Sequence, residues 1–315
     1  MTSIGQHPAT PAAPAHVIAH FSDTHFLGGN RPLHGAVDTQ STLELALSQL
    51  ERSGTAPEAI VFTGDLTDLG EPEAYDRLRS IVEPAAARLG AEIIWVMGNH
   101  DERHLLRSHL LNDSGATDPG APYDRVHTLG GLRVIVLDTT VPGYHHGELA
   151  ADQLAWLRGQ LATPAAHGTL LALHHPPIPT SIDLMSVLEL QRQHELADVI
   201  RDTDVRGILG GHLHYTTHST FAGVPVSVAS ATCYTLDLSA LAGTFAGVDG
   251  GRAFNLVHVY DDRVVHSVVP IGDSPIVSGF SETFLRNIAA MTPDERVEVF
   301  SNKASTVTVA DIENR

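Results

Sequence analysis

Five apolar segments of this chain each end in a short cluster of Asp, Asn or His residues. Runs of this kind are typical of strands buried on both faces of a sheet. In open α/β sheets, ligands bind beyond the carboxyl ends of the strands. The recurrence therefore predicts that the polar side chains meet at one edge of a sheet. The five segments read HFSDTH (20–25), FTGDLTD (62–68), VMGNHD (96–101), LALHHPP (171–177) and ILGGHLHY (208–215).

Apolar runs alternate with amphipathic stretches over the first two thirds of the chain, and hairpin patterns follow. The segment YDRVHTLGGLRVIVLDT predicts two strands around Gly130-Gly131, and two later segments, 217–230 and 253–270, also read as hairpins. The fold class predicted is α/β, with two mixed β-sheets flanked by helices in a four-layer αββα sandwich. Helices are predicted over 38–52, with Asp38 as N-cap, over about 72–89, in a short stretch to about Leu111, and over 150–161 and 186–200.

Three regions differ in composition. Residues 1–15 are rich in Pro and Ala, lack the features of a signal peptide, and are predicted to be disordered. Residues 16–272 carry all the polar clusters and are predicted to form the domain that contains the functional site. Residues 273–315 form a mixed-charge tail, in which one helix is predicted and whose role the sequence leaves open. No apolar run approaches the ~18 residues that a transmembrane helix needs.

The net charge of −18 argues against a broad basic surface for a nucleic-acid polymer or an anionic membrane. Such a charge also repels anionic substrates, so any phosphate site must carry its own local positive charge. The single cysteine, Cys233, excludes an intrachain disulfide framework and is typical of a reducing cytoplasm. We therefore expect a cytoplasmic protein that does not bind a nucleic-acid polymer.

The polar clusters together supply a set of metal ligands. In Asp23-x-His25 and His212-x-His214 the members stand two apart, so on an extended backbone both side chains of a pair would point to the same face. Oxygen and nitrogen ligands without a thiolate suit Mn, Fe, Co or Zn. Seven groups are too many for one ion, but suffice for two ions that share a bridging carboxylate. The candidates are Asp23, His25, Asp65, Asn99, one of His174 and His175, His212, and His214.

The order of these blocks resembles the signature of calcineurin-like metallophosphoesterases: D-x-H, GDxxD, GNH[DE], a later His, and GHxH. They stand here as DTH, GDLTD, GNHD, LHHPP and GHLH. From about residue 16 to about 270 the chain is more specifically similar to bacterial class III cyclic nucleotide phosphodiesterases. The segments that carry this similarity are SDTHFLGGNRPLHGAVD, VFTGDLTDLGEPEAY, LDTTVPGYHHGEL, LALHHPPIP and SVASATCYTLDL.

The resemblance implies the calcineurin-like phosphoesterase fold, a homodimer, and a dinuclear centre that hydrolyses 3′,5′-cyclic nucleotides, cAMP first and cGMP second, to 5′-nucleoside monophosphates. It implies Mn²⁺ and Fe before Zn²⁺ or Co²⁺, with in-line attack by a hydroxide that bridges the two ions. It assigns Asp65 as the bridge and favours His174 over His175. The first site implied is Asp23, His25, Asp65 and His214, and the second is Asp65, Asn99, His174 and His212.

Further histidines of the same blocks are candidates for catalysis and substrate binding. His100 is the candidate general acid for the departing ribose oxygen, and Asp68 is the candidate to orient it. The alternative for His100 is a group that holds a ligand in place. His145 and His146 line the substrate cleft or belong to a surface loop. His175 is a substrate contact, a ligand, or a residue that supports one.

Two other functions remain open at this point. One is a broader phosphodiesterase that acts on 2′,3′-cyclic nucleotides or glycerophosphodiesters. The other is a non-catalytic scaffold on the same fold, although such scaffolds typically lose ligands and none is missing here. Protein phosphatases of the superfamily usually extend GDxxD with Arg-Gly, whereas Leu69-Gly70 follows here. Purple acid phosphatases place a Tyr ligand after this block, and GDLTD has none.

Overall fold

The computed structural model of the chain describes residues 13–113 and 118–314. Most of the segment predicted to be disordered, residues 1–15, lies outside the described residues. The chain divides into two compact units, one of which spans Pro14–Gly272 and contains both large sheets. The other unit contains the segment that begins at Asp273.

The first sheet has five strands in the order β13-β12-β1-β2-β3. Strands β1, β2 and β3 are parallel, while β12 runs antiparallel to both β1 and β13. The sheet is therefore mixed, and the late hairpin predicted over 253–270 forms its edge. The strands are β1 (His16–Phe21), β2 (Ala59–Phe62), β3 (Glu92–Trp95), β12 (Ala253–Val259) and β13 (Val264–Pro270).

The second sheet has six strands in the order β4-β5-β6-β7-β9-β8. Strands β5, β6, β7 and β9 are parallel, and the antiparallel strands β4 and β8 close the two edges. The predicted hairpins at Gly130-Gly131 and at 217–230 are both confirmed. The strands are β4 (Arg125–Leu129), β5 (Leu132–Leu137), β6 (Thr169–Leu173), β7 (Val205–Gly210), β8 (Thr217–Phe221) and β9 (Val224–Val228).

Successive side chains of β5 face opposite sides of the second sheet, and they show how the layers pack. Val134 and Val136 belong to a core shared with the first sheet, whereas Ile135 and Leu137 belong to a core shared with helices on the other face. Burial on both faces explains the continuous apolar sequence of these strands. The arrangement confirms the predicted αββα sandwich. Helices α1 (Thr39–Arg52) and α2 (Pro72–Leu89) cover the first sheet, and α4 (Ala151–Leu161) and α5 (Gln193–Ile200) cover the second.

The predicted start of the helix over 186–200 is wrong. A 3₁₀ helix spans Asp183–Leu188, and α5 begins only at Gln193, after Arg192 in a left-handed conformation (φ 51°). The backbone between the two helices pairs with Gly147, which donates to the Glu189 carbonyl and accepts from the amide of Gln191. These long-range hydrogen bonds replace the intrahelical ones, so tertiary pairing overrides the local helical pattern.

The remaining described helices are short. Helix α3 (Arg103–His109) follows the third strand as predicted. The tail contains three α-helices where one was predicted, because Pro293 at the first turn, with Thr292 as N-cap, starts a new helix after α6. Nowhere in residues 13–113 and 118–314 is a helix long and apolar enough to cross a membrane. The tail helices are α6 (Glu282–Ala290), α7 (Pro293–Arg296) and α8 (Val309–Glu313).

Candidate metal centre

Seven polar side chains lie just beyond the carboxyl ends of parallel strands. Both sheets contribute, because β1, β2 and β3 of one and β6 and β7 of the other end at the same side of the sandwich. The strand order places β1 and β2, and β6 and β7, as direct neighbours. Asp23 and His25 follow β1, Asp65 follows β2, Asn99 follows β3, His174 follows β6, and His212 and His214 follow β7.

The backbone at these positions differs from the extended one that we expected. Both members of each i, i+2 pair are left-handed, with φ of 53° at Asp23, 45° at His25, 70° at His212 and 55° at His214. Asp65 has a φ of 47°. A non-glycine residue in this region costs on the order of 1–3 kcal/mol and persists only where the surroundings enforce it. The side chains therefore converge through tight turns beyond the strands.

Asp65 lies at the middle of the group. Its Oδ2 is 3.4 Å from Nε2 of His25 and 3.3 Å from Nε2 of His174. Its Oδ1 accepts a hydrogen bond of 2.9 Å from the amide of His100. One carboxylate oxygen thus faces imidazoles from both sheets, while the backbone holds the other oxygen. This is the arrangement expected of a carboxylate that bridges two cations.

A first cluster of potential ligand atoms surrounds one side of Asp65. The atoms offered by Asp23, His25, Asp65 and His214 all lie within 4.8 Å of one another, and all four residues are buried. Nε2 of His25 and Nε2 of His214 are 3.1 Å apart, and Nε2 of His214 is 3.4 Å from Oδ1 of Asp23. The structure thus brings together the four residues that the resemblance assigned to one ion.

A second cluster lies on the other side of Asp65. Nε2 of His174 is 3.0 Å from Oδ1 of Asn99. His174 and His212 also belong, together with His175, to a compact, buried group of imidazoles, and Nε2 of His212 has no hydrogen-bond partner among the described residues. An unpaired, buried polar nitrogen is costly unless something binds it. The second cluster therefore offers a cation an amide oxygen, a carboxylate and two imidazoles.

Three imidazoles of the site hold a proton on Nδ1, the ring nitrogen that points away from Asp65, through a hydrogen bond to an oxygen. Nδ1 of His25 is 2.9 Å from the Asp68 carboxylate, Nδ1 of His174 is 2.7 Å from the Thr63 carbonyl, and Nδ1 of His214 is 3.1 Å from the Tyr234 carbonyl. These oxygens accept, so each Nδ1 carries a proton, and each Nε2 turns a lone pair inward whenever its ring is neutral. Inward lone pairs beside two carboxylates repel unless cations lie among them. Such partners are typical of metal-binding histidines, and the residues fit a dinuclear metal site.

The pKa values of the histidines show that the carboxylates of the site attract positive charge. Burial works against protonation of His25, but Asp65 and Asp68 raise its pKa to about 10. Burial likewise opposes protonation of His174, and Asp65 raises its pKa to about 9. Burial lowers the pKa of His212 to about 3 and of His214 to about 4. The carboxylates thus attract positive charge, which either protons or metal ions can supply.

Two glycines allow the backbones beneath the site to approach each other. A Cβ on Gly98 would lie 1.9 Å from the amide nitrogen of Asp65 and 2.3 Å from its Oδ1. A Cβ on Gly64, whose φ is +90°, would lie 2.6 Å from Nδ1 of His174. The glycines before Asp65 and Asn99 are therefore required by contact distance, and at Gly64 also by conformation.

The contacts of Asp68 and His100 differ in part from expectation. The Asp68 carboxylate is 2.9 Å from Nδ1 of His25 but 3.7 Å from Nδ1 of His100. It is the backbone carbonyl of Asp68 that accepts the hydrogen bond of His100 Nδ1, at 2.8 Å. The side chain of His100 is 31% exposed and lines the cleft over the metal ligands. Asp68 thus orients His100 through its backbone and His25 through its carboxylate.

The three remaining candidate histidines occupy different environments. His145 is exposed, lines the cleft, and places Nδ1 2.9 Å from Nδ2 of Asn99. His146 is half-buried, and its ring packs against Tyr144. His175 is fully buried, with Nδ1 2.8 Å from Oγ1 of Thr139 and Nε2 3.1 Å from the His145 carbonyl. Protein atoms enclose His175, so it contacts the loop of His145 and is not open to the cleft.

Sequence reasoning missed two residues of the site. Asp101 is buried, and its carboxylate accepts from the amides of Leu66, Thr67 and Gly98, which ties together the loops after β2 and β3. It is the last letter of GNHD, so its place in that block was the available signal. Tyr234 lines the cleft, and its ring centroid is 4.6 Å from that of His214. No strand-end pattern marked Tyr234.

The chain is similar to known phosphodiesterases in sequence and to a known phosphatase in fold. The chain is 58% identical over 267 residues to a cAMP/cGMP dual specificity phosphodiesterase of Mycobacterium tuberculosis (strain CDC 1551 / Oshkosh), over 85% of this chain and 83% of the relative. It is 30% identical over 213 residues to a 3′,5′-cyclic adenosine monophosphate phosphodiesterase of Pseudomonas aeruginosa, over 67% and 74% of the two chains. A solved dimetal phosphatase from Danio rerio shares the fold, with a TM-score of 0.59 and 17% identity over 82% of this chain and 98% of that one.

The calcineurin-like phosphoesterase model matches residues 16–216, which include every candidate metal ligand. This family implies divalent metal ions, and the clusters of His and Asp side chains at this site can hold them. The fold, the convergence of the ligands and the extent of the match agree, and the chain belongs to the calcineurin-like phosphoesterase family.

Proposed function

We propose that this protein is a metal-dependent phosphodiesterase that hydrolyses 3′,5′-cyclic nucleotides to 5′-nucleoside monophosphates. The observation that carries the proposal is the position of Asp65 Oδ2, which lies 3.4 Å and 3.3 Å from imidazoles of two ligand clusters. The M. tuberculosis relative, whose name gives cAMP and cGMP as substrates, supports the substrate class.

Seven residues of this chain would hold the two ions. Asp23, His25, Asp65 and His214 would bind one ion, and Asp65, Asn99, His174 and His212 would bind the other. When bound, such ions clamp the phosphodiester, lower the pKa of a water between them, and stabilise the in-line transition state. Because the chain carries a net charge of −18, local positive charge at this site is needed to attract the substrate.

His100 is the candidate to deliver the proton that the departing ribose oxygen needs. Its Nδ1 donates to the Asp68 carbonyl, and no hydrogen bond among the described residues engages its Nε2. The ring lines the cleft, so a protonated Nε2 is free to donate to a leaving group bound there. A positioned acid of this kind contributes typically ~10²–10⁴-fold to rate.

Two further residues support this arrangement without touching the substrate. The Asp68 carboxylate fixes the proton of His25 on Nδ1, which leaves Nε2 free to bind an ion. His175 holds the loop of His145 through the His145 carbonyl. His145 remains a candidate substrate contact because it lines the cleft, whereas His146 is not among the residues that line it.

The role of His100 can be tested by comparing two leaving groups. p-Nitrophenolate departs without a proton, whereas a ribose alkoxide does not. In a His100→Ala variant with saturating Mn²⁺, we expect kcat/KM to fall by about 10²–10⁴-fold for cAMP and much less for bis(p-nitrophenyl) phosphate. His104→Ala, on the exposed side of α3, is the matched control and should leave both values unchanged. Equal losses for both substrates would remove His100 from the acid role.

The substrate class is tested on wild-type enzyme loaded with metal. We expect kcat/KM to be highest for cAMP and cGMP, with 5′-monophosphates as products. A higher value for 2′,3′-cyclic AMP or for glycerophosphodiesters would replace the proposal with the broader phosphodiesterase. Bound metal without turnover of any diester would support a scaffold.

Four finer points belong to the same proposal. We propose Mn²⁺ and Fe as the ions, which elemental analysis of purified protein can test. We propose a homodimer on the basis of family resemblance, which light scattering can test. A cytoplasmic location is consistent with the single cysteine. We also propose that residues 16–272 form the catalytic domain and that residues 273–315 are a tail outside it.

A further inference from the structure

Large apolar side chains are exposed on two segments beside the metal centre. Leu184 is 65% exposed and lies on the 3₁₀ helix Asp183–Leu188. Phe245 is 52% exposed and Leu241 is 81% exposed, and both lie on the loop over 237–246. Exposed apolar side chains that lie together indicate a surface that a ligand or a partner can cover.

Leu184 and Phe245 line the same cleft as the metal ligands. This cleft has a volume of 290 Å³ and is also lined by His25, Asp65 and Asn99. Its apolar part consists of the side chains of Leu184, Met185, Leu188, Leu236 and Phe245. A molecule whose phosphate contacts the metal ligands can therefore lay an attached group against this wall. Leu241 lines a neighbouring cavity instead, together with Phe245.

The loop that carries Phe245 is fixed relative to the metal centre. It forms the tip of a ribbon in which β10 (Thr235–Leu236) pairs with β11 (Gly247–Val248), and the Asp237 amide donates to the Ala246 carbonyl at 2.9 Å. A Cβ on Gly247 would lie 2.8 Å from two ring carbons of Tyr234, so the ribbon packs closely on that ring. The Tyr234 ring in turn contacts that of His214, with centroids 4.6 Å apart.

We infer that Phe245 and Leu184 form the subsite for the nucleobase, with Phe245 stacking on the ring system of the base. The inference rests on the proposed function and names the specificity-determining residues of the same cleft. A purine offers a flat face whose burial removes both that face and the exposed Phe245 ring from water. Stacking of a base on an aromatic side chain is sequence-tolerant because every base has a π-face.

The chemistry of this wall also predicts weak discrimination between bases. The side chains of Leu184, Met185, Leu188, Leu236 and Phe245 contain no hydrogen-bond donor or acceptor of useful strength. Strong rejection of one base requires buried polar groups that the wrong base leaves unpaired. Adenine and guanine nucleotides should therefore bind with similar affinity, and both should depend on Phe245.

The test compares ligands with and without a base on metal-loaded, full-length enzyme. Dissociation constants of AMP, GMP and ribose 5-phosphate are measured by titration calorimetry in wild type, Phe245→Ala, Phe245→Trp and Leu241→Ala. We expect Phe245→Ala to weaken AMP and GMP binding about 10- to 100-fold and to leave ribose 5-phosphate unchanged. Phe245→Trp should restore nucleotide affinity. Leu241→Ala, on the same loop but outside the cleft, should match wild type.

The other outcomes overturn the inference. Equal weakening of AMP and ribose 5-phosphate in Phe245→Ala would mean that the substitution disturbs the metal centre. Equal effects of Phe245→Ala and Leu241→Ala, with a shift in oligomeric state, would mean that a second copy of the chain covers this surface. Because the assay measures binding, failure of cAMP hydrolysis in wild type would refute the proposed function separately.

Discussion

Gly98 offers a sharp test of the geometry around Asp65. Its φ lies outside the left-handed region, so alanine is acceptable to the backbone there and only the added Cβ matters. That atom would lie 1.9 Å from the amide nitrogen of Asp65, 2.3 Å from its Oδ1 and 2.7 Å from its Cα. Non-bonded heavy atoms approach to about 3.5 Å at best, so the two backbones must separate by roughly 1.5 Å.

The separation must disturb Asp65, because one carboxylate holds the loop of Gly98 and the loop of Asp65 together. The amide of Gly98 donates to the Asp101 carboxylate at 2.9 Å, and that carboxylate also binds the amides of Leu66 and Thr67. A shift of Asp65 displaces Oδ2 from both His25 and His174. Misplacement of a catalytic group by 1 Å can cost about 100-fold in rate, so we expect Gly98→Ala to lower kcat/KM for cAMP by at least about 100-fold.

The assay measures kcat/KM at saturating Mn²⁺, the number of ions bound per chain by elemental analysis, and the fold by near-ultraviolet circular dichroism. Gly159→Ala is the matched control, because Gly159 lies inside α4 and a Cβ there meets open space. The control should keep full activity and gain up to about 1 kcal/mol in free energy of unfolding. A folded Gly98→Ala protein with two ions and normal kcat/KM would refute the reasoning.

Three further predictions concern the metals, pH and the tail. Dialysis against EDTA should abolish activity and lower Tm, because ions that bind the native state stabilise it. Addition of Mn²⁺ should restore both. Activity in protein that contains only trace metal would contradict this prediction. Burial, with a smaller effect of His266, lowers the pKa of His20 to about 3. As pH falls, the unfolded chain therefore takes up a proton at this residue before the folded chain does. The free energy of unfolding should decrease as pH falls from about 6.5 towards 3. Between pH 7.5 and pH 5, His20→Asn should lose about 2 kcal/mol less free energy of unfolding in urea than wild type, and parallel curves would disprove it. A chain that ends at Gly272 retains both complete sheets. It should therefore unfold cooperatively and bind two ions. Loss of its thermal transition would show that the tail is needed for folding.

The fold and the convergence of the candidate ligands could be predicted from the sequence because both depend on strand ends. A buried parallel strand is a continuous apolar run, and the polar residue that follows it must lie at the sheet edge. For Asp65 and Asn99 this argument was sufficient. It could not choose between His174 and His175 by residue type, since the choice depends on which ring faces Asp65 and which faces Thr139.

The features that were missed depend on contacts between distant parts of the chain. The expectation of extended i, i+2 pairs was wrong at Asp23 and His25, because turns enforced by the neighbouring loops replace the strand there. The start of α5 was wrong because the backbone before it pairs with Gly147. Tyr234 and Phe245 carry no periodic or polar pattern, and only the packing of the β10–β11 ribbon on Tyr234 reveals their place in the cleft.

The left-handed ligand residues also bear on how such an enzyme can change over generations. At Asp23, His25, Asp65, His212 and His214 the chain has candidate ligand side chains in a backbone conformation that glycine would adopt more easily. Each replacement by glycine would relieve strain of on the order of 1–3 kcal/mol while it removes a ligand. In a copy that binds no ion, drift at these positions is therefore favoured by the relief of backbone strain. Duplicated copies that lose activity should accumulate glycine at these five turns before their apolar cores change.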